Sequence, residues 1–266
     1  MKNKIFLIIF FLIFNLNVAA ETIKIEAKNI TLDKDNYTSI FENEVVVKAE
    51  GNIFKSDYVK YDKQKGVLLL QKNITASDDK NNTIKANQAV YFEKDKIFKT
   101  KGPTEIITAE DYTIKGDDII FNDKNGLISS SRSSVINDRE GNEIFLESFE
   151  FETKSNIFKS IGLIKIKDSN KNNYEFSQIY IDTKKKEILG TDIKAYLNQE
   201  NFKINKKNKP RVFANMIELG NEKSSFNKSV FTICDYRKDD KCPPWTIQAS
   251  KMLHDNKKKT IYYDNA

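Results

Sequence analysis

Gly51-Asn52-Ile53-Phe54-Lys55-Ser56-Asp57-Tyr58-Val59-Lys60-Tyr61-Asp62 runs on into Lys63-Gln64-Lys65-Gly66 and then Val67-Leu68-Leu69-Leu70. Val59 and Tyr61 flank a polar Lys60, the period of two that sends alternate side chains to opposite faces of a strand. Asp62 to Gly66 is a polar turn and Val67 to Leu70 a second strand, so the stretch reads strand–turn–strand. Helical spacing fits poorly, because the first and third positions are apolar while the residue between them is polar.

The unit recurs. Asn29-Ile30-Thr31-Leu32-Asp33 precedes it, and Gln88-Ala89-Val90-Tyr91, Asp118-Ile119-Ile120-Phe121, Ser148-Phe149-Glu150-Phe151 and Gln178-Ile179-Tyr180-Ile181-Asp182 follow. Two later copies read Met216-Ile217-Glu218-Leu219 and Lys251-Met252-Leu253-His254-Asp255. Taking the first apolar residue of each as anchor, the steps are 29, 30, 30, 30, 30, 38 and 35 residues. A chance alternation of hydrophobics would not hold that register. A period near thirty, with Thr, Ile, Val, Tyr and Phe abundant and no convincing helix, points to stacked β units that cannot bury their apolar faces alone.

Three residues before the anchor stands a small side chain in most copies: Ala27, Ser56, Ala86, Gly116, Ala214 and Ala249. Leu146 and Phe176 break the rule. A spacing of three reverses the face in a regular strand, so either this residue packs on the opposite side or the strand bulges there.

The first twenty residues read as a signal peptide. Lys2 and Lys4 precede the apolar run Ile5 to Phe14, and Val18-Ala19-Ala20 supplies small residues before a cleavage point at Glu21. The run is short for a membrane span, which leaves an exported chain of 246 residues, enough for one large β domain or two small ones. The formal charge of +6 falls to +4 without Lys2 and Lys4. So mild an excess gives no argument for nucleic acid and is compatible with an anionic ligand. Four Pro and nine Gly are too few for a disordered or collagen-like chain. Cys234 and Cys242 are free to oxidise in an exported protein, and their spacing allows a small loop closed by a bond between them.

Chemistry-bearing constellations are scarce, and no catalytic, metal or cofactor site is expected. His254 is the single histidine and stands where Tyr61 and Tyr91 stand in their repeats, which makes it structural. One His and two Cys in a Cys-x7-Cys spacing lack the pattern of a zinc site. No Gly-rich phosphate loop precedes a helix. Asp117-Asp118, Asp239-Asp240, Lys184-Lys185-Lys186 and Lys257-Lys258-Lys259 sit in turns, where solvated charge is the default.

The repeat resembles that of the OstA-like superfamily, which includes the lipopolysaccharide-transport proteins LptA, LptC and the N-terminal domain of LptD. The Gly51 to Asp62 stretch carries its pattern best: a Gly-Asn opening, a strand, a small residue with an acidic neighbour, then apolar-x-aromatic-Asp. The likeness extends over residues 23 to 208. Further on, Cys234-Asp235-Tyr236, Cys242-Pro243-Pro244-Trp245-Thr246-Ile247-Gln248-Ala249, His254-Asp255 and Lys259-Thr260-Ile261-Tyr262-Tyr263-Asp264-Asn265-Ala266 resemble the junction that precedes the outer-membrane barrel in the LptD branch. No barrel strands are present here. The resemblance implies a signal peptide at 1–20, OstA-like repeats over 21–233, and a Cys-bearing junction with a last strand pair over 234–266.

It further implies an all-β, slightly open jellyroll in the periplasm, holding the acyl chains of lipopolysaccharide in an apolar groove between two sheets and delivering it to the outer membrane. Implied partners are other transport jellyrolls stacked edge to edge and an outer-membrane barrel or lipoprotein. The expected groove residues are Val59, Tyr61, Tyr91, Ile119, Phe121, Phe149, Phe151, Ile179 and Ile181. Each methylene buried there would contribute about 0.8 kcal/mol. The plainer reading is that these side chains pack the two sheets as a closed core, which is what alternating apolar positions ordinarily do. Both hold where a groove is a core left ajar. For Cys234 and Cys242 the family offers a second possibility, bonds to cysteines of the barrel. A stand-alone bridge protein of the LptA kind and an exported β-solenoid adhesin remain alternatives, the latter expected to show shorter rungs with Gly or Asn ladders. A β-helix polysaccharide-degrading enzyme would need a clustered Asp/Arg or Asp/Lys site, which is not visible.

Overall fold

The computed structural model describes residues 23–49, 51–198, 208–220, 222–234, 243–255, 257–258 and 260–266. The signal segment therefore lies outside the described residues, as does Cys242. The chain opens with β1 (Lys24–Glu26) and β2 (Asn29–Asp33), which both pair with β3 (Thr38–Ala49). An antiparallel meander follows through β4 (Asn52–Asp62), β5 (Val67–Ser77) and β6 (Thr83–Phe92). The next four passes are interrupted halfway. They give β7 (Ile97–Thr100) and β8 (Pro103–Ile107), β9 (Thr113–Asp117) and β10 (Ile120–Asn122), β11 (Leu127–Ser130) and β12 (Ser134–Asn137), β13 (Glu143–Leu146) and β14 (Phe149–Glu152). Long strands resume as β15 (Ile157–Lys167), β16 (Asn173–Asp182), β17 (Glu187–Tyr196), β18 (Arg211–Leu219), β19 (Lys223–Thr232) and β20 (Ile247–Asp255), and β21 (Thr260–Asp264) is the last. The described residues contain no helix. The architecture is all-β, as the periodicity predicts.

Several of the long passes bend at their middle. The β3–β4 register shifts between Glu42 and Val45, and the β5–β6 register between Gln71 and Ile74. The extra residues adopt left-handed backbone: Asn43 and Glu44 at φ 66° and 54°, Lys72 and Asn73 at 65° and 49°. Two consecutive left-handed residues turn the strand sharply, and bulges are the usual device for that. The second strand of the unit quoted at the outset thus does not stop at Leu70 but bends and runs on to Ser77.

The bends line up, so the meander folds along its midline into two facing sheets. Sheet I holds the half-strands near Phe54, Ile84, Ile114, Ile144 and Tyr174; sheet II holds those with the anchors. Phe54 of sheet I stacks on Tyr91 and Phe98 of sheet II at ring-centroid distances of 4.9 and 5.2 Å. The core lies between the sheets as one continuous apolar layer. Pairing carries on through the expected boundary at 233/234, since β20 pairs with β19 in eight matched positions from Lys223↔Asp255 to Phe231↔Ile247.

The small residue before each anchor is explained by the bend. Ser56 and Val59 both point inward, one in each sheet, because the bulge between them restores the face. Near the fold line of the sixth copy, the residue three before the anchor shares its space with one on the following strand. Phe176 with Gly190 is such a pair, whereas the close neighbour of Gly116 is Ser134. A Cβ on Gly190 would lie 2.4 Å from the Phe176 ring. The large Phe176 is thus matched by the missing side chain at Gly190.

Candidate functional site

The open side of the fold is bounded by two lips made of the turns. On the sheet I lip, Asp78 Oδ1 accepts from the backbone N–H of Lys80 (3.0 Å) and Asn82 (2.8 Å), and Asp78 Oδ2 accepts from Asn82 Nδ2 (2.7 Å). Asp138 with Asn142 and Asp168 with Asn172 repeat the arrangement. Each Asn side-chain carbonyl then accepts from the next turn: Ala109 N–H at 3.1 Å, Ser169 at 3.0 Å and Asn198 at 2.8 Å. The result is an asparagine rail joining successive turns. Across from it on the sheet II lip, Lys124 Nζ donates to Lys94 O and Lys154 Nζ to Lys124 O, both at 3.0 Å.

Contacts between the lips close one part of the mouth. Asn52 Nδ2 donates to Asp123 Oδ2 at 2.8 Å, and Lys80 Nζ to Thr153 O at 3.2 Å. Farther along, the sheets part. A cleft of 390 Å³ opens between Tyr112, Ile144, Ile166 and Tyr174 of sheet I and Ile181, Ile188 and Leu219 of sheet II. Its rim is charged, with Glu110, Asp138, Arg139, Glu140, Asp168, Lys184 and Lys186, and Lys186 Nζ reaches across to Glu140 Oε1 at 2.7 Å. Beside it, and sharing Tyr112, Ile144, Ile181 and Thr183 with it, lies a void of 10 Å³ against Ile114, Ile136, Phe151 and Phe158. That is about the space of a single water.

Two hydroxyls punctuate this wall. Burial pushes the Tyr174 phenol up, helped by the Asp168 carboxylate that accepts its hydrogen bond at 3.1 Å. Burial also raises Tyr112, with the charges of Asp138, Glu140 and Glu110 adding to it. Both are therefore neutral at physiological pH, so the wall holds no charge of its own. An apolar slot with a neutral wall and a charged rim suits a chain-like apolar group whose polar end stays in water.

Of the nine groove residues expected from sequence, Ile181 lines the cleft. Val59, Tyr91, Ile119, Phe121, Phe149, Phe151 and Ile179 are buried in the closed core. Phe151 also lines the small void beside it. Tyr61 is half-buried and donates to Glu93 Oε2 at 3.1 Å. Sequence reasoning missed Tyr112, Ile144, Ile166, Tyr174, Ile188 and Leu219. A signal for part of the sheet I wall was present: Phe54, Ile84, Ile114, Ile144, Tyr174 and Val212 each stand five residues before an anchor. The asparagine rail was also legible as Asp-x-x-x-Asn at 78, 138 and 168.

The bond expected between Cys234 and Cys242 has one end outside the described residues. Cys234 is half-buried, and its backbone N–H donates to Thr232 Oγ1 at 3.1 Å. His254 lies in β20 opposite Ser224 and Ile261. Among the described residues no group of three or more His, Cys, Asp or Glu is placed to hold a metal ion, and no helix is long and apolar enough to cross a membrane.

No family model matches the chain, and no curated protein matches it. Among solved structures, one match is the crystal structure of LptH, the LptA homologous periplasmic component of the conserved lipopolysaccharide transport device from Pseudomonas aeruginosa. It is 12% identical over 63% of this chain and 80% of that one, with a TM-score of 0.16. So loose an overlay carries no argument about this chain.

Proposed function

We propose that this protein is an exported lipid carrier of the lipopolysaccharide-transport kind, a periplasmic jellyroll that shelters acyl chains while the sugars and phosphates stay in water. The observation that carries the reading is the apolar cleft between the two sheets, open to solvent along one side and rimmed by charge. The OstA-like pattern of the repeats supports it, and the Cys-Pro-Pro-Trp stretch supports placement in the LptD branch, next to the outer membrane. The protein acts by binding rather than by catalysis.

Edge-to-edge docking is the partner arrangement proposed. Among the described residues, β1 and β2 pair with β3 alone, and β21 with β20 alone. Ile30 and Leu32 on β2 are 54% and 64% exposed, and Tyr262 on β21 is 45% exposed. Unpaired edges with apolar side chains are strand-pairing surfaces, and further transport jellyrolls are the partners proposed for them.

The test is a photo-crosslinking amino acid placed at Ile188, which faces the cleft, and at its neighbour Leu189, which faces solvent on the outer side. Lipopolysaccharide should be captured from Ile188 and not from Leu189. Equal capture from both would refute sheltering in the cleft.

A further inference from the structure

We infer that the cleft is a blind slot for one fatty-acyl chain, with a length limit set by the Phe151–Phe158 end. This rests on the lipid-carrier reading and names what the site accepts. An apolar cavity of about 150 Å³ takes one benzene, six carbons. By that measure 390 Å³ holds on the order of fifteen carbons, a single chain rather than a bundle.

The closed end is solid. Phe158 stacks on Phe149 at 5.4 Å and leans on Phe151 at 6.5 Å, and only 10 Å³ remains between Phe151, Phe158, Ile114 and Ile136. A chain that reaches this end cannot pass it without moving a buried ring, so further methylenes must stay outside. The interior does not continue as a tunnel toward β4 and β5, because Phe54, Tyr91 and Phe98 fill it there. Entry is therefore from the side, through the mouth between the lips, beside Lys186 and Glu140.

The experiment is displacement of a fluorescent dansyl-undecanoate probe from the full chain by saturated fatty acids of increasing length. Affinity should rise about fourfold per methylene, the equivalent of about 0.8 kcal/mol, and then flatten near fifteen carbons. Phe158→Ala opens the blind end and should move the break outward by several carbons. Ile144→Phe narrows the slot and should move it inward, so the test survives if the first variant fails to fold. A gain that continues without a break, or a break that stays put in a folded variant, overturns the inference while leaving lipid binding intact. Absence of binding at every length overturns the carrier reading and this inference together. A parallel titration with purified lipopolysaccharide identifies the source of the chain. One-for-one displacement of the probe assigns the slot to one chain of that lipid. Displacement by free fatty acids alone keeps the single-chain slot and removes lipopolysaccharide as its cargo.

Discussion

Exchanging the Phe176–Gly190 pair for the residues one repeat earlier, Leu146 and Ser160, would test whether space near the fold line is shared between partners. Gly190 is not in a left-handed conformation, so adding a side chain there is a purely steric change. The new Cβ would sit 2.4 Å from the Phe176 ring where ordinary contact begins at 3.4 Å. The ring lies in a packed, almost fully buried setting and cannot swing aside freely. Overpacking of this kind costs about 1–3 kcal/mol, and Gly190→Ser belongs at the upper end. Phe176→Leu alone leaves a void beside Gly190 and should cost about 1–2 kcal/mol, less than a full truncation to alanine. In the double variant the serine fills the space that the ring gave up. Its cost should be about 1 kcal/mol, leaving a favourable coupling of about 2 kcal/mol or more between the two sites. Urea unfolding of the four proteins, followed by far-ultraviolet circular dichroism, measures the cycle. Additive losses, with coupling below about 0.5 kcal/mol, would show that Phe176 and residue 190 do not share space.

Stability should fall as pH climbs from about 10 to about 12. Burial, then the hydrogen bond to Glu93, raises Tyr61 from 10.0 to about 12, so the unfolded chain loses this proton first. Unfolding midpoints between pH 9 and 12 should show a shallower decline in Tyr61→Phe, and an unchanged slope would contradict the assignment. Asn82→Ala removes the rail's link to Ala109 and the side-chain amide that donates to Asp78 Oδ2, while the backbone N–H to Asp78 Oδ1 stays. The expected loss is about 1–2 kcal/mol, read from the same unfolding curves, and a neutral result would deny the rail a structural role. Exported protein should carry Cys234 and Cys242 in the oxidised state. Non-reducing mass spectrometry showing two free thiols would exclude it, and a bond to another chain would point instead to a barrel partner.

The all-β class, the thirty-residue unit and the inward row were legible because they are local properties. Hydrophobic alternation at Val59 and Tyr61 fixes which face each residue takes, and the period fixes that Val59, Ala89, Ile119, Phe149 and Ile179 come to equivalent places. Even the bulge was signalled, by Ser56 and Ala86 standing an odd number of residues from an inward anchor. The same reasoning could not locate the cleft. Ile114 and Ile144 occupy identical positions in their repeats, yet Ile114 lines the closed end alone while Ile144 lines both that end and the open slot. What separates them is the offset at which sheet I lies over sheet II. That offset is set by the twist accumulated over many strands and by contacts such as Asn52 with Asp123, seventy-one residues apart. Periodicity decides which side chains point between the sheets. Only the tertiary packing decides where the sheets touch, because that depends on the summed volumes and twist of all the repeats.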